Sequence, residues 1–148
     1  MKTLQDEPED INGRCNCLAA RKASRFLSAA YDKALTPVGL RATQFSILRR
    51  VIDTGGLGVS ELADHMAMDR TTVTANLKPL ERDGLVVIAN SSDRRRRFIS
   101  ATDEGVARFK QALPLWTQVQ HNFEEAYGPQ RAAKLREALR VVLETALR

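Results

Sequence analysis

Residues 60–105 read SELADHMAMDRTTVTANLKPLERDGLVVIANSSDRRRRFISATDEG, and this stretch decides the fold. SELADHM is a two-turn helix signal. Ser60 is placed to cap a helix over Glu61 to Met66, with Glu61 and Asp64 suiting the positive end of its dipole. Asp69 can cap a second helix in which Val73, Leu77 and Leu80 face inward, and Gly84 is placed to end it in a left-handed conformation. Pro79 lies inside that helix, where it removes the bond to Ala75, so a kink near Ala75 is expected. Leu85 to Ala89 and Arg97 to Ala101 then read as two short strands joined by Asn90, Ser91, Ser92 and Asp93, residues that favour turns. The order helix, helix, basic β-hairpin predicts a winged helix-turn-helix.

A helix that enters the major groove needs short polar side chains able to reach base edges and phosphates. Opposite the core face of the Asp69-capped helix lie Arg70, Thr71, Thr74, Ala75 and Lys78, with Thr72 and Asn76 flanking. Asn76 can bond adenine bidentately, and threonine or alanine can meet a thymine methyl. Four consecutive arginines, Arg94 to Arg97, follow in the hairpin. Arginine suits a narrow minor groove, where the negative potential is deepest. Strand alternation forbids all four from pointing one way. The expectation is that Arg95, supported by an ion pair from Asp93, enters the minor groove, Arg94 and Arg96 contact phosphates, and Arg97 lies on the strand against the body.

Outward from this stretch the chain is helical. Residues 1–12 are polar, contain Pro8 and hold Asp6, Glu7, Glu9 and Asp10, the composition of a loose acidic tail. From about Asn16, Ala19, Ala23, Phe26, Ala30 and Ala34 form an amphipathic stripe widened by Leu18, Leu27 and Leu35, ended by Pro37 and Gly39. A further helix runs from about Ala42 to Asp53, with Phe45, Leu48, Val51 and Ile52 inward and Gly55, Gly56 and Gly58 breaking it. Thr102 caps a long helix carrying Val106, Phe109, Leu113, Trp116, Val119 and Phe123 on one face, with a kink expected at Pro114. After Gly128-Pro129 a last helix bears Ala132, Leu135, Leu139, Val142 and Ala146 in a heptad-like stripe, flanked by Leu143 and Leu147.

The fold class is therefore mainly α with a small β-wing, about six helices and a two- to three-stranded wing. The organisation is an acidic tail over 1–12, a winged domain over 39–102, and a helical dimerisation region over 13–38 and 103–148. Dimerisation follows because the apolar stripes of the first, fifth and sixth helices exceed what so small a winged unit can cover.

The chain of 148 residues is about one domain long, with net charge +5 and pI about 9.6. Basic residues concentrate in the wing and acids in the tail, which favours a polyanion at one surface. No stretch approaches the roughly 20 apolar residues of a membrane span, and the acidic start lacks the features of a signal peptide. A soluble cytoplasmic protein associated with the nucleoid, with no membrane partner, is expected.

Cys15 and Cys17 are too few and too close for a disulfide framework. As thiolates near Arg14 and Arg21 they are candidate redox residues, although residues two apart on a helix do not face each other, so a bridge needs unwound backbone. Only His65 and His121 could join them on a metal, without zinc-type spacing, so no metal is expected. His65 reads as a capping or packing residue. Tyr31, Phe109 and Trp116 could line a cavity for a small aromatic effector, though aromatic residues at helical spacing are more often core. No nucleophile and base constellation or phosphate-cradling loop occurs, so the chain reads as no enzyme and as holding no cofactor.

Together these motifs resemble the MarR family of bacterial regulators. Asp93, Arg94 and Arg95 with Thr102 to Gly105 look like the family's D-x-R…L-T-x-x-G signature. Supporting pieces are G-L-x-x-x-Q-F-x-x-L at Gly39 to Leu48, E-L-A at Glu61 to Ala63, and D-R-T-T-V-T…L-x-x-L-E-R-D-G-L-V from Asp69 to Val86. Ala101 stands where the family usually has leucine, Arg41 where a threonine cap is common, and Val87-Ile88 where a basic residue often precedes the wing. The resemblance implies a homodimer whose first, fifth and sixth helices interlock, reading a pseudo-palindromic operator in double-stranded DNA. It further implies a repressor relieved by a small ligand or by cysteine oxidation. A winged-helix module that binds an acidic protein partner, without sequence-specific DNA binding, is the competing reading, and a thiol-redox activity a third.

Overall fold

The computed structural model describes residues 10–90 and 96–147. Its elements are α1 (Ile11–Arg14), α2 (Asn16–Leu35), a 3-10 turn (Thr36–Val38), α3 (Ala42–Thr54), β1 (Leu57–Gly58), α4 (Val59–Met66), α5 (Arg70–Arg82), β2 (Val86–Asn90), β3 (Arg97–Ala101), α6 (Asp103–Tyr127) and α7 (Pro129–Glu144). The three strands form one antiparallel sheet in the order β1, β3, β2. Leu57 lies opposite Ile99, and Ile88 faces Ile99 from the other side.

The core gathers where α3, α4 and α5 meet this sheet. Ile47, Leu48, Leu62, Val73, Leu85 and Ile99 are all without solvent exposure. Each such aliphatic side chain stabilises the fold by about 1.5–3 kcal/mol relative to its exposed state. Leu35 from α2 and Phe109 from α6 close the cluster, which anchors the two long helices to the winged unit.

Several local expectations match the structure. The Asp69 carboxylate accepts the Thr72 N–H at 2.7 Å, and Gly84 lies at φ +72°. Thr102 Oγ1 accepts the Gly105 N–H at 3.0 Å. Gly39 and Gly55, at φ +68° and +69°, end the turn after α2 and the helix α3.

Others are corrected. Asp10 caps a one-turn helix, α1, which begins within the residues assigned to the tail. Ser60 is not the cap of α4: the helix starts at Val59 behind Gly58. Gly58 is still paired with Phe98 in β1, and Val59 turns into the core immediately after it. Strand β2 begins at Val86, because the Leu85 carbonyl bonds to Thr102 N–H at the entrance to α6. Helix α7 ends at Glu144, which leaves Ala146 and Leu147 of the stripe beyond it. Helices α5 and α6 run unbroken through Pro79 and Pro114, although each proline lacks the N–H that would bond to the residue four back.

Candidate nucleic-acid interface

The pair α4 and α5 is joined by a tight turn. Ala67 takes the left-handed conformation at φ +52°, and Met68 N–H bonds back to Ala63 O at 2.9 Å. A left-handed alanine costs about 1 kcal/mol, which the turn accepts in order to bring Asp69 to the start of α5. Accepting the Thr72 N–H holds the Asp69 carboxyl below its ordinary value, so the cap is ionised and its negative charge lies at the positive end of the helix.

With Val73, Leu77 and Leu80 pinned in the core, the opposite face of α5 is set by helix geometry. Arg70, Thr71, Thr72, Ala75 and Lys78 are exposed, and Thr74 and Asn76 half-buried. The Asn76 amide donates to Thr72 O at 2.9 Å, so one of its donors is engaged by the helix itself while its carbonyl oxygen stays outside that bond. Arg82, one turn beyond Lys78, belongs to the same face and has a side chain 74% exposed. The i, i+4 spacing from Lys78 was the signal for it in the sequence.

The wing is the hairpin of β2 and β3. Asp93, Arg94 and Arg95 lie outside the described residues. Arg96 precedes β3 and is exposed, and Arg97 is the first residue of the strand, opposite Asn90. Arg97 lies on the strand as expected, shares its strand face with the buried Ile99, and is itself exposed. The other parity carries Phe98, which covers Gly56; a Cβ there would stand 2.6 Å from the phenyl ring.

The remaining candidates fall away from this surface. Cys15 is the N-cap of α2, its sulfur accepting the Leu18 N–H at 3.4 Å, and Cys17 is exposed in the first turn; both thiols are free. Phe45 stacks between Phe109 and Trp116 at centroid distances of 5.0 and 5.7 Å, with Tyr31 tilted against Trp116 at 6.4 Å. Tyr31 donates to Gln120 of α6. Burial, then the Glu124 carboxylate, push its phenol upward, against a smaller lowering by Arg136. These rings thus pack on one another across α2, α3 and α6. His65 is exposed at the end of α4. Among the described residues no helix is long and apolar enough to cross a membrane.

A model of the MarR family matches residues 40–96, the span from the start of α3 to the wing. The M. tuberculosis transcriptional regulator MosR, solved in complex with DNA, superposes with a TM-score of 0.78 at 36% identity, covering 90% of this chain and 99% of that one. The transcriptional repressor CouR of Rhodococcus jostii RHA1, bound to a 23-mer DNA duplex, gives a TM-score of 0.79 at 26% identity over 93% and 99% of the two chains. TtmR, a helix-turn-helix transcriptional regulator of Methylorubrum extorquens (strain PA1), is 30% identical over 105 residues, 70% of this chain and 53% of its own length. The matched stretch spans 66% and 53% of the first two curated relatives. Two findings coincide here, the matched span from residue 40 to 96 and the near-complete overlap with MosR at 36% identity; the chain belongs to the MarR family.

Proposed function

We propose that this protein is a homodimeric, sequence-specific DNA-binding transcriptional regulator, a repressor, acting in the cytoplasm on the nucleoid. The observation that carries the reading is the exposed face of α5 from Arg70 to Lys78, presented beside a hairpin whose loop and third strand contain four arginines. Residues 39–102 read the duplex, with α5 in the major groove and the wing at the minor groove. Residues 13–38 and 103–148 pair the two copies. Support for pairing comes from apolar side chains that one chain leaves uncovered: Phe26 at 70% exposure, Val142 at 64% and Leu143 at 73%. Two-fold symmetry then sets the α5 helices roughly 34 Å apart, addressing half-sites about 10 bp apart in a pseudo-palindromic operator. The relatives solved on DNA, and the repressor among them, support the same reading. Control by a small aromatic effector or through Cys15 and Cys17 belongs to the proposal; the Cys15 sulfur caps α2, so chemistry at that atom reaches a pairing helix.

Selection of bound duplexes from a random pool with the purified protein tests the function. A recovered palindromic consensus is the expected result. Duplex binding that is indifferent to charge reversal at both Arg94 and Arg95 sinks the reading, and negligible, salt-insensitive association with any duplex points to the protein-binding module instead.

A further inference from the structure

Arg41 stands at the N-cap of α3, a position where serine, threonine, aspartate or asparagine normally serves because its oxygen can accept a free helix N–H. The arginine side chain has no acceptor, and its positive charge faces the positive end of the helix dipole. The fold repairs the cap from elsewhere. Asp32 of α2 accepts the Ala42 N–H at 2.7 Å, and Gln44 accepts the Arg41 N–H at 3.0 Å. The Arg41 guanidinium is left exposed, without an ion-pair partner among the described residues. A residue that breaks a local stability rule, compensated by a neighbour, marks a place where something other than stability sets the sequence.

The surroundings of Arg41 say what that is. It borders a groove of about 550 Å³ between the end of α2, the start of α3 and the end of α5, which Lys33 and Arg82 also line. Arg82 lies on the face of α5 that holds Thr71, Ala75 and Lys78, and its bond to Asp83 engages Nε alone at 3.3 Å. The groove also holds two carboxylates, Asp32 on the Ala42 N–H of the α3 cap and Asp83 on Arg82 Nε, so its three cations leave a formal excess of one positive charge. Three cationic groups thus converge where the reading face of α5 runs out toward the α3 N-terminus.

We propose that Lys33, Arg41 and Arg82 form a phosphate-binding ledge that grips the backbone of the duplex beside the base pairs read by α5. The occupant is the phosphodiester backbone, recognised by charge and not by sequence. The proposal rests on the regulator reading above.

The test compares the full-length protein with Arg41→Thr, Lys33→Gln and Arg82→Gln, titrated with a selected duplex and a random one between 50 and 200 mM salt. In a dimer each substitution removes two phosphate contacts, so the slope of log K against log salt should flatten by about 1.8. Both duplexes should weaken by the same factor, which leaves their affinity ratio unchanged. Arg41→Thr should at the same time raise the melting temperature, because threonine can cap α3. A slope that Arg41→Thr leaves at the wild-type value overturns the ledge while the regulator reading stands, as does a loss confined to the selected duplex. Wild-type protein that binds neither duplex overturns the regulator reading and the ledge with it.

Discussion

Gly105 and Leu85 touch where no side chain could fit: a Cβ built on Gly105 would lie 2.0 Å from the Leu85 carbonyl oxygen. The contact is the junction between the wing and the long helix α6. Thr102, three residues earlier, accepts the Gly105 N–H at 3.0 Å and donates its hydroxyl to Gly84 O at 2.6 Å, while its own N–H bonds to Leu85 O at 3.1 Å. The T-x-x-G spacing is thus one clasp, in which the threonine caps α6 and ties down the end of α5, and the glycine lets the backbone entering β2 approach.

Gly105→Ala forces backbone apart from backbone and has no flexible atom to displace. Overpacking of this kind costs about 1–3 kcal/mol where neighbours can yield, and here neither can. Denaturant unfolding is expected to show a loss at or above the top of that range. A midpoint within error of wild type contradicts the clasp.

The Asp69 cap makes a pH-dependent contribution. Its folded carboxyl value lies below the ordinary 3.8, held down first by the Thr72 backbone N–H. The stabilisation is therefore complete above 3.8 and is lost as pH falls below it through the folded value. Asp69→Ala should lower the melting temperature at pH 7, and the gap from wild type should close as the buffer is taken down through that window. Asp69→Asn keeps a neutral acceptor and should retain most of the stability at pH 7. An Ala gap that is constant across the acid range rules out an ionised cap.

Phe45 holds the winged unit to the long helices through its stacking with Phe109 and Trp116. Phe45→Ala should destabilise by about 3–5 kcal/mol, as expected for a buried ring that leaves a cavity. Fluorescence of Trp116, the single tryptophan, should shift to the red as water reaches the vacated space. An unshifted spectrum with undiminished stability would show that the rings do not pack as described.

The proposed pairing uses the exposed apolar residues of α2 and α7. The double variant Phe26→Asp with Leu143→Asp should sediment as a monomer and lose about 10²- to 10⁴-fold in affinity for a two-half-site duplex, since avidity from linked sites disappears. Its far-UV spectrum should remain helical, because the core around Ile47, Leu62 and Ile99 lies within one chain. A variant that still sediments as a dimer places the interface elsewhere.

Local chemistry alone made α5 legible. Its polar cap at Asp69, the core spacing of Val73, Leu77 and Leu80, and its left-handed glycine at Gly84 each depend only on nearby residues. The same holds for the Thr102 cap and for the boundaries of β3. Where the residues in question interact across the fold, only the tertiary structure could decide. The start of α4 moved to Val59 because Gly58 pairs with a strand forty residues later, a partner that no window around Ser60 contains. Likewise Asp32, rather than anything at Arg41, caps α3. Capping and helical periodicity act over three or four residues and so are written locally; strand pairing, a cap donated from another helix and the convergence of Lys33, Arg41 and Arg82 join residues far apart in the chain, and exist only once it has folded.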